Sequence, residues 1–129
     1  MAEQFEVQDR FAVTPHVLYR AWLDSAEHGA MTGSGARIDP KPGGIFSAWD
    51  GYISGTTVEL VEDQRIVQSW RTTEFAESDA DSRLEITLKS EGEGTVITLR
   101  HTEIPDGQGE SYKQGWTDYY FNPMHEHWG

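Results

Sequence analysis

Cysteine is absent from the 129-residue sequence. That absence removes thiol nucleophiles, cysteine-ligated zinc, redox pairs and disulfide staples together, and it fits a reducing cytoplasm. No apolar run approaches the roughly 20 residues that a membrane-spanning helix needs. The opening Met1-Ala2-Glu3-Gln4-Phe5-Glu6 has neither the basic leader nor the apolar stretch of a secretory signal. A soluble, unexported, cytoplasmic chain is the expectation. Positive charge is scarce as well: 10 Lys and Arg stand against 22 Asp and Glu, a formal net charge of -12. Such a field repels phosphate backbones and anionic lipid surfaces, so neither nucleic acid nor membrane is expected as a partner. There is no Gly-x-Ser-x-Gly elbow, no Walker-type loop and no His-Glu-x-x-His, so no catalytic motif, cofactor or metal is indicated. Nor is there an internal repeat, a low-complexity tract or a dividing linker. One domain over residues 1–129 is expected, large enough to bury about two thirds of its unfolded surface.

What the sequence does carry is an aromatic run near its end, Gly115-Trp116-Thr117-Asp118-Tyr119-Tyr120-Phe121-Asn122-Pro123-Met124. On a helix from about Gly109 to His125, the residues Tyr112, Trp116, Tyr119, Tyr120 and Pro123 recur at spacings of three and four and form one apolar stripe. A helix so rich in rings must lie against something. The rest of the chain supplies a sheet. A first strand runs from about Gln4 to Val13 with Phe5, Val7, Asp9, Phe11 and Val13 on one face. Thr14-Pro15 then reads as an N-cap followed by proline at the first helical position. Val17, Leu18, Ala21 and Trp22 give that helix its apolar face, and Asp24 with Glu27 reads as the capping box of a second short helix through about Ala30. Six further strands are expected between Ala36 and Glu103, joined by connections short enough to make neighbours antiparallel. Along them Ile66, Gln68 and Trp70 share a face, as do Leu84, Ile86 and Leu88, and Ile97, Leu99 and His101.

The segments Val13-Thr14-Pro15 through Ala21-Trp22, Pro42-Gly43-Gly44-Ile45-Phe46, Ile66-Val67-Gln68-Ser69-Trp70, Gly94-Thr95-Val96-Ile97-Thr98-Leu99-Arg100-His101 and Gly115-Trp116 to Pro123, in this order, resemble the activator homologues of the 90 kDa heat-shock-protein ATPase. That family lies within the START-like (SRPBCC) superfamily of helix-grip folds. The resemblance implies an α+β helix-grip fold: a curved antiparallel sheet of about seven strands wrapped around a long C-terminal helix, with two short helices after the first strand and a hydrophobic cavity between sheet and helix. It also implies that small apolar or aromatic molecules are held there, as in the wider superfamily, and it connects the chain with stress response. The co-chaperone itself carries a further, ATPase-stimulating N-terminal domain that this sequence does not include, so ATPase activation is not the expected activity.

Three readings of function follow. The first is a binding protein for a small apolar or aromatic ligand, with Trp49, Trp70, His101, Trp116 and Tyr119 lining the cavity and Tyr52 adding a hydroxyl at its rim. The second is a cyclase- or hydrolase-type enzyme on the same cavity with His101 as acid–base residue, oriented by Glu103 or Asp118. The third is a protein-interaction domain whose partner is a chaperone. A monomer or a homodimer is compatible with each. His125-Glu126-His127 lies at a helix end, where residues two apart point about 200° away from one another and do not chelate. His16 and His28, on or beside the first helices, read as surface residues.

Overall fold

The computed structural model describes residues 2–128. Strand β1 (Glu3–Phe11) is followed by helices α1 (Pro15–Leu23) and α2 (Ser25–Thr32) and then by six strands. These are β2 (Arg37–Ile38), β3 (Ile45–Ala48), β4 (Ile53–Val61), β5 (Arg65–Thr72), β6 (Ser82–Glu91) and β7 (Gly94–Ile104). All seven form one curved antiparallel sheet in the order β1-β7-β6-β5-β4-β3-β2. The chain returns to its beginning when β7 pairs with β1, for instance Leu99 opposite Val7.

The start signals work as the sequence implies. Thr14 Oγ1 accepts from the Val17 amide at 3.3 Å, with Pro15 at the first helical position. Asp24 accepts from the Glu27 amide at 2.9 Å and opens α2. Gly33, at φ 81°, closes α2 in the left-handed conformation that a side chain resists. The first strand is shorter than expected. It ends at Phe11, and the carbonyl of Val13 is taken by Thr95 Oγ1 at 2.7 Å rather than by a ladder partner.

The long C-terminal helix, α3, consists of three consecutive segments: α-helical Gly109–Gly115, π-helical Trp116–Phe121 and α-helical Asn122–Trp128. The π segment inserts one extra residue into the turn and moves the apolar stripe by one position. After Trp116 the buried residues are Tyr120, Phe121 and Met124, while Tyr119 is 57% exposed. The stripe expected through Tyr119 and Pro123 is corrected accordingly. Against these rings the sheet presents Ile66, Leu84, Ile86, Ile97 and Leu99, each fully buried. Each such side chain contributes about 1.5–3 kcal/mol by leaving water, so this contact is the main stabilising layer of the molecule.

Candidate functional site

Between the sheet and the first half of α3 lies a recess of about 310 Å³. Its sheet side is formed by Trp49, Tyr52, Ile53 and Trp70. Its helix side is formed by Ser111, Tyr112, Gly115, Trp116, Tyr119 and Tyr120. Ring packing fixes the floor: Trp70 meets Tyr112 edge-on at 5.0 Å and Trp116 at 5.7 Å, and Trp116 meets Tyr120 at 4.8 Å. At the mouth, half-buried Trp49 and exposed Tyr119 meet edge to face at 5.4 Å.

Trp49 lies in a tight turn, Trp49–Gly51, in which Trp49 and Asp50 have φ of 51° and 55°. Two successive non-glycine residues in that region cost about 1–3 kcal/mol each and persist only where neighbours over-determine them. Here the neighbour is the Ser34-Gly35 bend. Asp50 donates its amide to the Gly35 carbonyl at 3.0 Å, and its carboxylate accepts from the Gly35 amide and Ser34 Oγ, both at 3.2 Å. The turn swings the indole toward α3, and its buried Nε1 finds no partner among the described residues.

One end of the recess is polar. The Tyr52 hydroxyl donates to Glu74, and its pKa is pushed up to about 12 by burial and by that carboxylate. Tyr112 donates to Gln108 and meets Thr72 Oγ1 at 2.7 Å. Burial raises the Tyr112 phenol above its ordinary value, with Glu74 adding to the effect.

Of the five side chains expected to line a cavity, Trp49, Trp70, Trp116 and Tyr119 come together around this recess. His101 does not reach it. It is fully buried behind Trp70 and Trp116, with both ring nitrogens occupied. Nε2 donates to Ser82 Oγ at 2.8 Å, and that hydroxyl donates onward to the Trp70 carbonyl at 2.7 Å. Nδ1 accepts from Trp116 Nε1 at 3.2 Å. Burial takes the imidazole down to a pKa of about 3, so it is neutral, and its one lone pair, on Nδ1, is already taken by the Trp116 indole N–H. Neither Glu103 nor Asp118 is bonded to it; its orienting partners are Ser82 and Trp116.

His28 is likewise interior, not a surface residue: 3% exposed, donating from Nδ1 to the Trp22 carbonyl and accepting at Nε2 from Tyr120, each at 2.8 Å. This bond holds Tyr120 in the recess wall from behind. The spacing of His28, Met31 and Thr32, all buried on one face of α2, was the signal for it. His16, in contrast, is exposed beside Asp63 at 2.9 Å. His125 does not dangle from a helix end: it stacks on Phe11 at 4.3 Å and bonds Asp9 at 2.9 Å, which accounts for an aspartate on the inward face of β1. Among the described residues no group of three His, Cys, Asp or Glu is arranged to hold a metal ion. No helix among them is long and apolar enough to cross a membrane.

The same architecture recurs in known proteins. An HSP90 activator from Plasmodium falciparum superposes with a TM-score of 0.85 at 30% identity, covering 94% of this chain and 92% of that one. The Aha1 dimer from Colwellia psychrerythraea, at 9% identity and a TM-score of 0.79 over 98% of this chain and 96% of that one, shares the fold. In sequence, the human activator of 90 kDa heat shock protein ATPase homolog 1 is 28% identical over 123 residues, which are 95% of this chain and 36% of that protein. The chain thus spans about a third of the length of the curated relatives it matches. Residues 12–128, everything from the end of β1 onward among the described residues, fit the profile of the family described as activator of Hsp90 ATPase homolog 1-like protein, and the chain belongs to that family.

Proposed function

We propose that this protein binds a small apolar or aromatic molecule in the recess between the sheet and α3. The observation that carries this reading is the recess itself: about 310 Å³ lined chiefly by rings, where a filled core would have left none. Rigid aromatic walls lose little entropy when a planar guest enters, and the ring contacts that hold Trp70, Tyr112 and Trp116, edge-to-face in one case and tilted in the other, are made within the protein and need not form on binding. His101 contributes by locking Trp116 and Trp70 in place. With both of its nitrogens engaged it offers no acid–base group to a guest, so the geometry supports holding a molecule rather than transforming one.

Native mass spectrometry and thermal shift against fatty acids, flavonoids and aromatic polyketides test this. A bound species, and stabilisation of about 2.7 kcal/mol at a hundredfold excess over Kd, are expected. A control variant is available in Gly115, where an added Cβ would meet only Tyr119 Cδ2 at 3.6 Å. Gly115→Leu is expected to fold, plug the recess and abolish the shift. No bound species and no stabilisation across the panel would overturn the reading.

A second reading is favoured by the match to the human activator over 95% of this chain: an interaction domain for the 90 kDa heat shock protein. Its test is co-precipitation with that chaperone at low and at physiological salt. Retention that weakens as salt rises is expected for so acidic a surface, and no retention at low salt counts against it.

A further inference from the structure

The chemistry of the lining points to a narrower class of guest, an inference that rests on the small-molecule reading above: the geometry points to an organic cation, a quaternary or fully alkylated ammonium group carried on an aromatic or short apolar body. Seven of the ten lining residues are aromatic, and Ile53 is the sole aliphatic chain longer than a methylene. A recess shaped only for hydrocarbon is served equally well by leucine, valine or methionine. Aromatic faces differ from these in carrying a negative quadrupole, which attracts a cation once water has been excluded. Trp70, Tyr112 and Trp116 already stand at angles to one another, so a cation placed among them meets ring faces from more than one direction.

Charge around the recess has the matching sign. No lining residue is Lys, Arg or His. An acidic group is tied to the wall: the Glu74 carboxylate accepts from the Tyr52 hydroxyl at the polar end. Arg71, which follows Trp70 in β5, stacks on Phe75 and is consumed by Asp81 and by the carbonyls of Ala76 and Asp79. An anionic guest such as a fatty acid carboxylate would find no counter-charge among the lining residues, and the net charge of -12 would oppose its approach while concentrating cations. A volume of about 310 Å³ admits a trimethylammonium group with one or two rings, not a two-chain lipid.

The test uses a matched pair of probes, phenyltrimethylammonium and its neutral carbon isostere tert-butylbenzene, titrated into the full chain with tryptophan fluorescence as readout. The wild-type protein is expected to bind the cation at least tenfold more tightly than the isostere. Glu74→Gln, at an exposed position where folding is not at stake, is expected to weaken the cation about three- to fivefold and leave the isostere unchanged. Trp49→Leu is expected to reduce the preference for the cation more than it reduces affinity for the isostere. If both probes bind equally, or the isostere binds better, the cation inference falls while the small-molecule reading stands. If neither probe binds, the cation inference falls, and if the wider panel also fails, both readings fall together.

Discussion

Two imidazoles in the interior, His28 and His101, are each hydrogen-bonded at both nitrogens and in neither case to a carboxylate. Burial therefore acts almost unopposed and pulls their pKa values down, to about 4 for His28 and about 3 for His101, from 6.5. The unfolded chain takes up these protons below pH 6.5, whereas the folded chain refuses them until far lower. Stability from this source is thus complete above pH 6.5 and is lost as pH falls toward 4 and then 3, opposite to a histidine that gains an acidic partner. Within that window each histidine removes about 1.4 kcal/mol per pH unit. Urea unfolding at pH 7.5, 6 and 5 is expected to give falling stability, with a shallower fall in His28→Gln or His101→Gln whatever the variants' stability at pH 7.5. An unchanged slope in both variants would mean that these rings are not held neutral.

At the scale of elements the decisive feature is the π segment of α3. With a straight α-helix the ring after Trp116 that faces the sheet would be shared between Tyr119 and Tyr120, followed by Pro123; with one residue inserted, Phe121 and Met124 take the inner positions and Tyr119 is carried to the mouth of the recess. Phe121→Ala is expected to cost about 3–5 kcal/mol in urea unfolding because it empties a site against Phe11. Tyr119→Ala is expected to cost under about 1 kcal/mol. Equal costs would mean that the phase shift is not real. The contrast shows what spacing can and cannot reveal. Thr14-Pro15, Asp24 and the alternation in β5, β6 and β7 are local signals, and the sheet and helix starts were legible from them. The π insertion and the left-handed turn at Trp49 and Asp50 are set by contacts distant in sequence, with β1 on one side and the Ser34-Gly35 bend on the other. So the rings of the site were legible as residue types, while their facing was not. Tyr112 and Tyr120 read as stripe residues and proved to be wall residues as well. His101 alternated inward correctly, yet its sequence neighbourhood held no sign of the Ser82 and Trp116 bonds that close it off.

Across the whole molecule two electrostatic effects compete, and their magnitudes decide which one salt reveals. The outward face of the sheet carries a local network in which Arg65 and Arg83 reach Glu85 at 3.3 and 2.9 Å. Burial alone would raise the Glu85 carboxyl, but Arg83, Arg65 and Arg100 hold it below the ordinary carboxylate range. Screening weakens such attractions, though partly exposed pairs are each worth only about 0–1 kcal/mol and some of this network is short enough to escape the Debye length of about 10 Å at 0.1 M. Against it stands the self-repulsion of a chain with net charge -12, spread over distances that salt screens well. The long-range term is the more exposed of the two to added ions. Raising sodium chloride from 0.02 to 0.3 M is therefore expected to raise the thermal midpoint, and Glu85→Gln is expected to leave the sign of that trend unchanged, because removing one acid from the network barely alters the global field. A midpoint that falls with salt would place the balance with the arginine network instead, and it would weaken the case that the global field draws cations toward the recess.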